Sequence, residues 1–103
     1  MEAHKANNDY YFGNNTPQLK IANDLMASLE YSGVLSDKFL SYIYNCLYNM
    51  LYCLDNNDIA GGKTIYININ EFLDRYSLFS ETYKLRVRAP FASLLNSITE
   101  KNN

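Results

Sequence analysis

The sequence has little of what most catalytic and metal-binding proteins need. Its 103 residues include one histidine, His4, two cysteines and no tryptophan. One histidine in a polar N-terminal segment leaves a Ser-His-Asp or Cys-His arrangement without a plausible base, and no Cys/His spacing matches a zinc site. We therefore expect a protein that is not an enzyme and that holds no metal or cofactor.

Long apolar runs are also missing. The longest charge-free stretch, Phe39 to Leu54, is shorter than the roughly 20 residues that a membrane helix needs. Residues 1–13 are polar and contain no apolar segment typical of a secretory signal. Cys46 and Cys53 are seven positions apart on a predicted helix, or about 10 Å along its axis, which is too far for a disulfide. These features predict a cytoplasmic protein with buried, reduced thiols and no membrane partner.

Positive charge is scarce and unevenly placed. The net charge of −2 argues against binding nucleic acid through overall charge. Residues 1–62 hold three Lys/Arg and seven Asp/Glu, whereas residues 63–103 hold six Lys/Arg and four Asp/Glu. The second part of the chain is therefore the only candidate for an anion-binding face.

Helix signals dominate the first half. Threonine and proline at Thr16-Pro17 favour a helix start, and Gly33 favours a helix end, which predicts a helix over 17–31. Ser36 repeats the capping signal before a second helix over 36–55. Apolar residues at spacings of three and four make that helix the predicted centre of the core. The amino-acid composition of the chain, with 48% hydrophobic and 19% charged residues, is typical of a globular domain.

The N-terminal residues differ from this pattern. Residues 1–15 are rich in asparagine and are predicted to be a mobile arm, while 16–103 form a single domain. Within the arm, Tyr10, Tyr11 and Phe12 are three consecutive aromatic residues. We expect them to dock either on the protein's own core or on a second copy.

The second half mixes strand and helix signals. Asp55 to Gly62 is predicted to be a turn, and Thr64 to Ile69 alternates apolar and polar residues as a half-buried strand does. A short helix over 71–76, capped by Asn70, is predicted to follow. Residues 82–88 also alternate, and Pro90 disfavours a helix interior, so one kinked helix and a strand followed by a helix over 90–100 both stay open. The predicted fold class is mainly α, a small helical domain with one or two short β-strands.

Residues 63–99 are predicted as a strand, a short helix, a tight turn and a capped helix, and the last three have helix-turn-helix proportions. The short helix, the turn Ser77-Leu78-Phe79 and a helix that begins at Ser80 form the unit. The strand-first order resembles the entry of winged-helix proteins, although no wing is evident, and a ribbon-helix-helix layout fits the same residues. Double-stranded DNA is the implied partner, because the second helix of such units enters the major groove. The predicted DNA-binding residues are Lys63, Ser80, Thr82, Lys84, Arg86 and Arg88.

Tyrosine is abundant, with ten residues, and three of them lie one turn apart on the central helix. Tyr44, Tyr48 and Tyr52 form a predicted interface stripe, since tyrosine suits half-buried contact surfaces. The leading hypothesis is a dimeric DNA-binding protein that serves regulation or maintenance of a phage- or plasmid-type mobile element. The alternative is a small protein of the same origin that binds and inhibits a host protein.

Overall fold

The computed structural model describes residues 10–13, 16–76 and 79–101, and every regular element in these ranges is helical. The four long helices are α1 (Pro17–Ser32), α2 (Asp37–Asp55), α3 (Ile59–Arg75) and α4 (Glu81–Lys101). Most of the predicted arm, including His4, lies outside the described residues. So do Ser77 and Leu78 of the predicted turn.

The four helices pack around one core. α2 and α4 contact each other, and α1 and α3 each contact both of them. The smallest dimension of the molecule is 19 Å, close to two helix diameters of about 10 Å. One cluster of buried apolar side chains lies between the helices, and no polar or charged residue among the described ones is buried with it.

The predictions for α1 and α2 are confirmed. The Thr16 hydroxyl accepts a hydrogen bond from the Leu19 amide at 3.1 Å, and Gly33 ends α1 with φ of 66°. In the left-handed region a side chain would be strained, so glycine suits this position. Ser36 precedes α2, although its side chain makes no capping hydrogen bond. The predicted stripe is buried at Leu40, Ile43, Leu47 and Met50, whereas Leu54, its predicted last member, is half-buried and Cys53 is buried instead.

The predicted strand over 64–69 is wrong, because these residues lie inside α3. Asp58, not Asn70, caps this helix, and its carboxylate accepts from the Gly61 amide at 2.9 Å. The short helix predicted over 71–76 is the end of the same element. The isoleucines alternate in sequence, but they do not share one face of the structure. Ile65 and Ile69 are one helical turn apart and face the core, whereas Ile67 is 55% exposed.

The glycine pair lies in the first turns of α3, so the predicted turn is shorter than expected. A Cβ on Gly62 would lie 2.9 Å from Cδ1 of Ile98, and one on Gly61 would meet the Asp58 side chain and lie 2.9 Å from Sγ of Cys53. The glycines therefore bring the start of α3 close to the ends of α2 and α4. Their role is close packing rather than a reversal of the chain.

The last segment is one helix, so the strand alternative for 82–88 is wrong. Val87, Phe91, Leu94 and Ile98 form its buried stripe. Pro90 lies within the helix, where it cannot donate a backbone hydrogen bond. The fully buried Val87 and Phe91 on either side hold the helix against the core through this position.

Candidate functional site

The predicted basic cluster at the start of α4 is largely neutralised by neighbouring carboxylates. The Lys84 ammonium lies 3.4 Å from Asp74 and 3.3 Å from Glu81, and its side chain is only 13% exposed. The Arg88 guanidinium lies 3.9 Å from the same Asp74 oxygen. Its Nε also donates to the Asn70 side chain. Two of the three cations in this cluster thus link α4 to α3.

The remaining predicted DNA-binding residues are spread over two helices. Ser80 caps α4, since its hydroxyl accepts from the Tyr83 amide at 3.1 Å. Thr82 and Arg86 are exposed on the first turns of α4, and Lys63 is exposed near the start of α3. Lys63 and Arg86 therefore lie near opposite ends of the helix hairpin, because the start of α3 packs on the end of α4.

The expected helix-turn-helix unit is a pair of long helices. Its predicted six-residue first helix is continuous with α3, which has 17 residues, and α4 has 21. Asp74 and Asn70 on α3 hold Lys84 and Arg88 of α4 against this helix. In this arrangement the positive charge that faces solvent on the first turns of α4 comes mainly from Arg86.

The tyrosine stripe of α2 is covered at one end. The Phe12 ring stacks on Tyr44 with 4.5 Å between centroids, and Tyr10 meets the same ring edge-on at 5.4 Å. The Asn23 side chain fixes this segment, since it accepts from the Phe12 amide at 2.8 Å and donates to the Gly13 carbonyl. Of the two alternatives for the aromatic residues, docking on the chain itself is the one found for Tyr10 and Phe12. Tyr44 is consequently half-buried.

The rest of the stripe is open to solvent. Tyr48 is 58% exposed and Tyr52 is 64% exposed. Both lie on the wall of a groove of about 190 Å3 between α2, the start of α1 and the docked segment. We call this surface the tyrosine groove; it is lined by Phe12, Leu19, Tyr48, Leu51, Tyr52 and Asp55.

A second groove brings together residues that the sequence did not indicate. It has a volume of about 200 Å3 and lies between the first half of α2 and the end of α3. Aromatic rings form its floor and two cations stand on its rim. We call it the basic aromatic groove; it is lined by Lys38, Phe39, Tyr42, Phe72, Arg75 and Tyr76. The sequence could have indicated only the pairs within each segment. Lys38 and Tyr42 are one helical turn apart, and so are Phe72 and Tyr76.

The two thiols are unpaired and shielded. Burial raises the pKa of Cys53, and the nearby Asp58 carboxylate raises it further. Burial also raises the pKa of the half-buried Cys46, although a hydrogen bond with Tyr42 lowers it in part. A thiol with a raised pKa is a poor nucleophile at neutral pH. This environment agrees with the predicted structural role of both cysteines.

The described part of the chain offers no assembled set of metal ligands, since it contains no group of three or more His, Cys, Asp or Glu placed to hold one ion. No helix in the described ranges is long and apolar enough to cross a bilayer. No protein-family model matches the chain, and no curated protein sequence or solved structure is significantly similar to it.

Proposed function

We propose that the protein is a non-catalytic, protein-binding helical domain that contacts its partner through the tyrosine groove. The observation that carries the proposal is the exposure of Tyr48 and Tyr52 beside an apolar groove. Exposed apolar side chains grouped around a groove generally mark an interaction surface. Tyrosine is among the residues that contribute most binding energy in protein interfaces, since its ring loses little conformational entropy.

The balance of charge supports a protein partner over DNA. Lys84 and Arg88 already have carboxylate partners within 4 Å, so phosphate groups would have to displace Asp74 and Glu81. Non-specific DNA binding depends on several unpaired cations that release counterions together. The tyrosine groove needs no such rearrangement.

The experiment places a photo-crosslinking amino acid at position 48 or 52 in cells that produce the protein naturally. Tyr31 is the matched control, because it is 94% exposed and does not line the tyrosine groove. We expect discrete crosslinked products from positions 48 and 52 and none from position 31. Equal crosslinking from all three positions, or none from any, would contradict the proposal. Sedimentation of the pure protein at micromolar concentration then tells whether the partner is a second copy.

DNA binding is the second candidate function, favoured by the exposed Arg86 and Thr82 on the first turns of α4. Its test is a mobility shift at about 50 mM salt, where phosphate attraction is strong. Replacement of Lys84, Arg86 and Arg88 by alanine should abolish any shift. An unshifted duplex with the parent protein removes this candidate and leaves the protein-binding proposal in place.

A further inference from the structure

We infer that the basic aromatic groove is a second binding site, and that its ligand is an acidic peptide segment with an apolar side chain next to its carboxylates. The site is separate from the tyrosine groove, since the two share no lining residue. The inference therefore does not depend on the proposed function, although both together describe an adaptor with two surfaces.

The floor of the groove is built from rings that α2 and α3 hold in place. Tyr42 lies over Phe72 with 4.4 Å between centroids, and Phe39 meets Tyr76 edge-on at 5.1 Å. Phe72 is buried, whereas Tyr42 and Tyr76 keep part of each ring in contact with solvent. The mutual packing fixes these rings before a ligand arrives, so binding costs little side-chain entropy. Such a floor fits an aliphatic or aromatic side chain.

The rim carries positive charge that is available to a ligand. Lys38 and Arg75 are exposed, and neither makes an ion pair with any residue that the structure describes. This distinguishes them from Lys84 and Arg88, whose charges are paired within the fold. Arginine and lysine beside an apolar floor complement a carboxylate that lies next to an apolar side chain.

The acidic residue Glu71 lies near the groove and limits the net positive charge of the groove. Burial is the main cause that raises the pKa of the Tyr42 hydroxyl, and Arg75 lowers that pKa more than Glu71 raises it. Two exposed cations, Lys38 and Arg75, thus stand against one nearby carboxylate, so the positive charge of the groove is modest. A nucleic acid strand needs a longer track of cations than the two that line this groove. One or two carboxylates on a peptide fit the two cations better.

The test uses two synthetic peptides with the same leucine and phenylalanine residues, one with glutamates and the other with glutamines in their place. Titration into isotopically labelled protein should shift the amide resonances around Lys38, Tyr42 and Arg75 with the glutamate peptide only. We expect Arg75→Gln to weaken this binding about tenfold, the effect of losing one charge-assisted hydrogen bond. The matched control is Lys20→Gln, which removes the same charge at an exposed site outside the groove.

Four outcomes would overturn the inference. They are equal binding of the glutamate and glutamine peptides, equal weakening by Arg75→Gln and Lys20→Gln, and no shift up to about 1 mM peptide. The fourth is tighter binding of a short oligothymidine at the same resonances, which would identify a nucleic acid site instead. Because the resonance map is measured on the unchanged protein, it does not depend on how well either variant folds.

Discussion

Replacement of Gly62 by alanine tests the close approach of α3 to α4 directly. Alanine favours a helix over glycine by about 1 kcal/mol, so on propensity alone the variant would be more stable. The added Cβ, however, would lie 2.9 Å from Cδ1 of Ile98 and 3.2 Å from Cδ1 of Leu95. Since Ile98 is fully buried, its side chain has little room to move. Overpacking of this kind costs about 1–3 kcal/mol.

The expected net effect of Gly62→Ala is therefore a loss of about 1 kcal/mol in the free energy of unfolding. A domain of this size should lose about 4–8 °C in melting temperature for that change. Urea unfolding followed by circular dichroism gives the free energy, and a constant m-value shows that only stability has changed.

A second substitution separates the clash from other causes. Ile98→Val removes the Cδ1 atom that the new Cβ would meet, at its own cost of about 0.5–1.5 kcal/mol. In that background Gly62→Ala should be neutral or stabilising, so the two changes should couple by about 1–2 kcal/mol. If Gly62→Ala stabilises the parent protein, or has the same effect in both backgrounds, the packing argument is refuted. A glycine in a turn before a strand would show no such coupling to Ile98.

Two further predictions concern buried polar groups. The Tyr83 hydroxyl is buried, which raises its pKa, and it makes no hydrogen bond of good geometry among the described residues, although the Ser32 side chain is near enough to lower that pKa in part. Tyr83→Phe should therefore raise the free energy of unfolding by about 1 kcal/mol. A loss in urea unfolding would mean that the hydroxyl is bonded to Ser32. The pKa of Cys53 is raised in the folded state, so the unfolded chain loses this proton first and stability should fall as pH rises above about 8.5. Cys53→Ala should reduce that fall between pH 7 and 9.5, and identical pH profiles would contradict the assignment.

The helices α1 and α2 were predictable from their sequence signals, whereas α3 was predicted as a strand. α1 has a threonine cap, a proline in its first turn and a glycine at its end, and its predicted end was one residue short. α3 contains two glycines, several β-branched residues and two asparagines, which are weak helix formers. Its helix is stabilised by packing between α2 and α4, and local sequence cannot report that contact. The alternation of its isoleucines therefore predicted a strand.

The same misassignment limited what could be predicted about sites. A strand over 64–69 would have ended before Phe72, so nothing placed Arg75 beside Lys38 and the aromatic residues of α2. As a single helix, α3 returns along α2 and completes the basic aromatic groove at its last two turns. Tyr48 and Tyr52 were predictable as surface residues because their one-turn spacing lies wholly within α2.

The role of Asp74 shows why a count of charges along the sequence did not give the charge of the surface. Lys84, Arg86 and Arg88 predict a basic cluster as long as only their own segment is considered. Once α3 is a helix, Asp74 lies within 4 Å of two of these cations, and the cluster joins the two helices instead of facing solvent. Arg86 keeps its charge toward solvent, and two other cations without such partners on the described surface, Lys38 and Arg75, stand beside partly exposed aromatic rings on another part of it. The same helix therefore weakens the argument for DNA and supplies the argument for an acidic peptide.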